Sequence, residues 1–202
     1  MHHKETALLG RIVAEAAHDL NNVLAVTRDG GGLLGDILKM AGDMPYADKL
    51  KRIVDSIDRQ TKRGAETAKA LNQFAHLADE ERAESDLATL ADLALILTRR
   101  FASQRRTEIS FPRPKKGIVF TGPVLRVLLG VVACLRACID ACAEGKVEID
   151  VNKAKPNVEM GFTLQGAKSI PDPAPLNSAL EEMEMLFVVR DSRALLAIPA
   201  KS

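Results

Sequence analysis

Residues 14–26 read AEAAHDLNNVLAV, so His18, Asp19, Asn21 and Asn22 interrupt a largely apolar run. Neutral imidazole keeps one ring nitrogen free and is a competent nucleophile toward a phosphoryl group near physiological pH. A phosphoryl acceptor on a helix must face solvent, because the donor has to dock over it. That requirement accounts for a polar cluster on a helix whose other face is core. Asn22 lies four residues beyond His18 and shares its face. It is placed to hydrogen-bond a phosphoryl group, or a water in front of one. Asp19 sits about 100° around the helix from His18, and Glu15, three residues before it, is a second carboxylate that could orient the ring.

The elements that must hold this cluster are helical. Across residues 6–42, apolar positions recur at intervals of three and four: Leu8 or Leu9, Ile12, Ala16, Leu20, Val23 or Leu24, then Leu33, Leu34, Ile37 and Leu38. Gly30, Gly31 and Gly32 each cost a helix about 1 kcal/mol relative to alanine, so a kink or local loosening is expected there. Asp43, Met44 and Pro45 mark a turn. A second helix is expected over about residues 46–77, with the stripe Leu50, Ile53 or Val54, Ile57, Thr61, Gly64, Ala68, Leu71, Phe74 and Ala75. Two long helices joined by a short turn pack as an antiparallel hairpin. A lone hairpin buries only one face of each helix, so pairing with a second copy into a four-helix bundle is expected. Counting back from the turn puts Leu71, Phe74 and Ala75 near the level of His18, with Lys62, Arg63 and Glu66 nearer the turn.

Residues 78–86 (ADEERAESD) read as a linker or helix end. Beyond them a helix is expected over 87–101, N-capped by Ser85 or Asp86. Short strands are expected at 108–111 and 117–120, and a helix over 124–143 opened by Pro123 and ended by Gly145. Alternation predicts strands at 146–151 and 158–164, then a Pro-rich loop at 166–175 and a short helix near 176–182. A hairpin of 185–190 and 194–198 closes the chain. The fold class is therefore α+β in two parts, residues 1–80 a helical hairpin and residues 81–202 a small α/β sandwich.

The chain has 202 residues, 47% of them apolar, with 28 basic and 27 acidic side chains and a net charge of +1. That balance gives no electrostatic argument for nucleic acid or an anionic membrane. No Trp, one Tyr and six Phe weigh against platforms that stack bases. No stretch approaches the ~20 apolar residues of a membrane span. The N-terminus does not resemble a signal peptide. Cys134, Cys138 and Cys142 stack on one helix stripe and read as core rather than as a disulfide framework or a metal site. A cytoplasmic location is expected. Arg99, Arg100, Arg105 and Arg106 read as a solvated face, with partner docking as the lesser alternative.

His18-Asp19-Leu20-Asn21-Asn22, followed by VLAV, resembles the H-box of two-component sensor histidine kinases. Arg63-Gly64-Ala65 through Leu71, Phe74 and Ala75 resembles the matching return helix, and residues 81–202 resemble the kinase ATP-binding domain in layout. The resemblance implies that Asp19 orients the His18 imidazole and raises its basicity. The departures fall in the nucleotide elements. In the best register, Ala133 and Ala137 stand where the family carries asparagines that hold magnesium. Alanine offers a hard cation no oxygen. Gln165-Gly166-Ala167-Lys168-Ser169 replaces the family's Asp-x-Gly-x-Gly, and the glycine-rich lid is absent.

A histidine bundle with a degenerate ATP-binding domain resembles the kinase-like histidine phosphotransferases of bacterial phosphorelays. That resemblance implies a phosphoryl carrier on His18, served by Asp19 and Asn22. It implies response-regulator receiver domains as partners, docking over Asn21, Lys62, Arg63 and Glu66. No cofactor or metal of its own is expected, magnesium belonging to the receiver. Rival readings are a catalytically inactive pseudo-kinase scaffold, a kinase with an altered nucleotide pocket, and a receiver phosphatase in which Asn22 positions water. His76 lacks polar neighbours of this kind and reads as structural or exposed.

Overall fold

The computed structural model describes residues 2–42, 45–77, 82–169, 171–181 and 184–199, without the side chains of residues 2–9 and 11. Asp43 and Met44 of the expected turn, and Leu8 and Leu9 of the first stripe, therefore lie outside the described side chains. The chain divides into two compact units, Met1–Asp79 and Glu80–Ser202.

The first unit is a hairpin of α1 (His2–Met40) and α2 (Ala47–His76). The expected kink at the glycines does not form, and α1 is continuous through Gly30, Gly31 and Gly32. The physical reason lies in the packing. A Cβ on Gly31 would stand 3.1 Å from Ile57 Cγ2, one on Gly35 3.3 Å from Val54 Cγ1, and one on Gly64 2.9 Å from Leu24 Cδ1. Each glycine receives a branched side chain from the other helix, so the lost propensity is offset by close approach of the two backbones. The face of α1 turned to α2 is thus made largely of small residues, with Ala17 buried to 1% and Leu24 inserted against Gly64. Most other large apolar residues of the expected stripe point elsewhere. Ile12, Leu20, Val23, Leu33, Leu34 and Ile37 are all exposed within the chain.

The second unit opens with a strand in part of the expected linker. β1 (Ala83–Asp86) pairs antiparallel with β3 (Val119–Gly122) in a two-stranded sheet. A four-residue polar segment carries no alternation to read, and tertiary pairing makes it a strand. Asp86 then caps α3 (Leu87–Arg105), its carboxylate accepting from the Ala88 N–H at 3.2 Å and the Ile118 N–H at 2.9 Å. The main sheet is mixed, ordered β2-β4-β5-β7-β6, with β2 (Glu108–Ser110) parallel to β4 (Lys146–Ala154). β5 (Asn157–Gln165), β7 (Arg193–Pro199) and β6 (Leu186–Arg190) complete it in antiparallel pairings. Alternating burial turns Val147, Ile149, Met160, Phe162, Leu196 and Ile198 inward, where α3 and α4 (Val124–Ala141) pack. On the opposite face Asp150 and Arg193 pair at 2.9 Å across Gly161, which has no side chain to obstruct them.

α4 ends differently from expectation. Glu144 takes the left-handed conformation, with φ 66°. Gly145 serves another need, since a Cβ there would collide with the Gln165 backbone carbonyl. α5 (Pro173–Glu181) packs on α4, where Leu180 and Met185 cover Gly130. Asn177 ties α5 to β6 by donating to the Phe187 carbonyl at 2.9 Å and accepting its N–H at 2.8 Å. That bond pair covers part of an edge strand.

Candidate functional site

His18 lies in the middle of α1 and is exposed, as are Asp19 and Asn22; Asn21 is half-buried. None of His18, Asp19 and Asn22 makes a hydrogen bond or ion pair among the described residues, so the imidazole is held by its own helix alone. A helix turns about 100° per residue, which sorts the surface of α1 into three sectors. Ala17, Leu24, Gly31 and Gly35 face α2. Ile12, Val23, Gly30, Leu34 and Ile37, together with Leu20, Val26 and Leu33, form an apolar arc that none of the described residues covers. His18 and Asn22 stand about 40° apart, roughly 130° and 90° from the centre of the arc, and the exposed Leu33 lies about 20° beyond Asn22. Asp19 falls toward the arc, and Asn21 falls between His18 and α2.

The contacts of Leu24 with Gly64, Ile57 with Gly31 and Val54 with Gly35 fix the antiparallel register. Extending that register brings Ala70 and Leu71 level with His18, and Glu66 level with Asn22. Lys62 lies one turn nearer the hairpin turn and pairs with Asp58 at 2.8 Å. Arg63 points to the other flank of α2, on the side of the exposed Ile53, so the geometry does not bring it to the His18 sector. On that sector, toward the turn, the helices part around a cleft of about 880 Å³. Gly31, Gly32 and Gly35 floor it, and Lys39, Lys51, Asp55 and Asp58 rim it. The glycine tract marked the cleft in the sequence, where it was legible only as a helix weakness.

In the second unit, Ala133 and Ala137 lie half-buried on α4. Beyond β5, Gly166 turns with φ 72°, and Lys168 closes onto the end of α4. The Lys168 N–H donates to the Ala141 carbonyl at 2.8 Å, and its ammonium meets Glu144 at 2.7 Å. That hydrogen bond holds the Glu144 carboxyl below its ordinary range. Burial raises all three α4 thiols, Cys134 from 9.0 to about 12. Among the described residues no cluster of His, Cys, Asp and Glu is arranged to hold a metal ion, and no helix is long and apolar enough to cross a membrane.

No protein-family model matches the chain, and no curated protein does. Solved structures do. The catalytic domain of the histidine kinase ThkA superposes with a TM-score of 0.50 at 14% identity, over 60% of this chain and 98% of that one. The ATP-binding domain of PrrB from Mycobacterium tuberculosis gives 0.49 at 15%, over 61% and 100%. ThkA in complex with the response regulator TrrA gives 0.49 at 15%, over 98% of this chain and 64% of that one. The chain contains a histidine-kinase-like catalytic fold, over about the share that the second unit occupies.

Proposed function

We propose that the chain is a histidine phosphotransferase of a phosphorelay, carrying a phosphoryl group on His18 between receiver domains of response regulators without using ATP. The observation that carries this reading is the exposed His18 on α1, on a sector turned from α2 and about 130° from the centre of the apolar arc, with Asn22 one turn on. A second copy seated on that arc completes a four-helix bundle and leaves both imidazoles open.

In the transfer, the free imidazole nitrogen of His18 attacks phosphorus of a receiver's aspartyl phosphate. The N–P bond forms as the P–O bond to the aspartate breaks, and the carboxylate leaves with the electron pair. The other ring nitrogen keeps its proton. The reverse step delivers the group to a second receiver. Phosphoryl transfer is chiefly positioning and charge stabilisation, so a carrier needs few groups of its own. Asn22 donates to a phosphoryl oxygen, Asp19 or Glu15 sets the ring, and magnesium comes with the receiver. The cleft beside the glycines gives a docking receiver an element to seat against, with Lys62 paired to Asp58 on its rim.

Magnesium nucleotide does not suit the second unit. Ala133 and Ala137 offer no oxygen ligand, and Leu180 and Met185 pack directly onto the flank of α4 at Gly130. The test uses two tubes, one with ATP alone and one with a receiver phosphorylated in advance. Acid-labile phosphate on His18 in the second tube only is the expected result. Label from ATP alone would return the chain to the kinases, and label in neither would leave a scaffold or a phosphatase.

A further inference from the structure

The cleft in the hairpin shows which side chains of the two helices share a flank. Asp36 of α1 and Lys51 of α2 both line it. His18 precedes Asp36 by 18 residues, and Lys69 follows Lys51 by 18. Eighteen residues are five helical turns, so His18 repeats the angle of Asp36 and Lys69 repeats the angle of Lys51. The helices run antiparallel, in the register set by Leu24 against Gly64, Ile57 against Gly31 and Val54 against Gly35. Five turns away from the hairpin turn along each helix end at one level. Lys69 thus stands within one residue of the level of His18, on the same flank, and both belong to the first unit.

Lys69 is exposed and pairs with no carboxylate among the described residues. Other lysines of this flank differ. Lys39 meets Asp36 at 2.9 Å, and Lys62, two turns nearer the hairpin turn than Lys69, meets Asp58 four residues before it at 2.8 Å. The residue four before Lys69 is Ala65, which has no charge to offer. An ammonium without a partner thus lies across the interhelical groove from the proposed nucleophile. Packed helix axes lie about 8–10 Å apart, and side chains that meet glycine allow the near end of that range. The four-carbon stem of lysine is flexible enough to lean across such a groove to a group carried on the ring of His18.

We propose that Lys69 is a catalytic residue of the transfer, its ammonium donating to a phosphoryl oxygen as the group passes onto His18, an inference that rests on the function proposed above. The chemistry selects a cation at this place. A neutral imidazole gives an ammonium little to hold, whereas the phosphoryl group arrives with negative charge on its oxygens. A hydrogen bond between ammonium and phosphoryl oxygen is charge-assisted, and it forms only when the group is there. Asn22 reaches the group from the helix of His18 and Lys69 from the facing helix, so it is held from two sides. Lys69 keeps its proton throughout. It takes no part in the N–P bond that forms or the P–O bond that breaks, and its contribution is charge compensation.

The experiment follows transfer from receiver domains, phosphorylated in advance with acetyl phosphate, to the full chain by rapid quench. Lys69→Gln is expected to lower kcat by roughly tenfold, with KM and the unfolding midpoint unchanged. Lys69→Arg keeps a cation of similar reach and should recover most of the rate. Lys49→Gln removes the same charge from an exposed site about 160° around α2 from Lys51 and should transfer at the native rate. A native kcat in Lys69→Gln would overturn this inference and leave the proposed function standing. A loss confined to KM would do the same, because it assigns Lys69 to receiver docking rather than to the phosphoryl group. An equal loss in Lys49→Gln would reduce the effect to net charge and overturn it as well. Absence of transfer to the native chain from every receiver tried would overturn both the inference and the function on which it rests.

Discussion

His18 is exposed and unrestrained by any neighbouring side chain, so its replacement tests chemistry with little effect on folding. His18→Gln is expected to abolish acid-labile labelling from a phosphorylated receiver while the thermal midpoint stays within a degree or so of the native chain. Asn22→Ala should slow transfer by roughly tenfold to a hundredfold, the scale of losing one donor to a developing charge. Stopped-flow transfer from a labelled receiver checks both. The buried thiols make a separate prediction. In the unfolded chain a cysteine releases its proton near pH 9, whereas burial holds Cys134 protonated to about pH 12. Between those values the unfolded state binds fewer protons than the folded one, so stability falls as pH rises. Unfolding midpoints from pH 8 to pH 11 should drop along that slope, and Cys134→Ala should flatten it.

At the scale of elements, Gly145 shows what the sequence displayed and what it hid. A glycine after a helix reads as its left-handed terminator, yet that conformation falls to Glu144, and Gly145 is required by the Gln165 carbonyl lying against it. Backbone cannot yield as a side-chain tip can. Gly145→Ala should therefore destabilise the second unit by about 1–3 kcal/mol in denaturant unfolding, whereas Glu144→Gly should be neutral or stabilising. The same contrast runs through the fold. Both long helices, α3, α4 and the strands of the main sheet were legible from periodicity, because each buries one face against one layer. β1 was not, because AESD owes its conformation to its partner strand and to the two N–H groups that Asp86 accepts. The glycines of α1 were read as weak points, because propensity speaks of an isolated helix and the holes that receive Ile57 and Val54 exist only once α2 is in place. The His18 cluster was legible for the opposite reason. Polar side chains on a helix with an apolar face record a demand that packing does not make. Helix periodicity sets Arg63 about 100° around α2 from Lys62, and that is why Lys62 lies on the flank of the cleft and Arg63 on the other.

For the whole molecule, the deciding feature is the arc of Ile12, Val23, Leu34 and Ile37, exposed at 55%, 63%, 37% and 53%. Contiguous apolar surface of this extent on a helix is a contact surface rather than a solvated one. Gly30 lies within the arc and nothing in the chain comes within 4 Å of the Cβ it lacks. Its neighbours Gly31 and Gly35 are explained by α2; Gly30 is explained if another backbone approaches there. The four-helix bundle proposed above would place a second copy there, since a two-fold axis presents the same patch to itself. Its position also matters for the proposed chemistry. In the proposed bundle a second copy centred on the arc would lie about 130° around α1 from His18 and leave that imidazole open. Val23→Glu with Ile37→Glu places two carboxylates in the arc and should convert a dimer into a monomer by sedimentation velocity at micromolar concentration. The unfolding midpoint should then lose its dependence on protein concentration. Gly30→Leu should weaken the proposed dimer without altering the hairpin, as no atom of the described residues occupies that space. A native chain that sediments as a monomer at every concentration tested would leave the arc without its second copy and remove the four-helix bundle from the proposal.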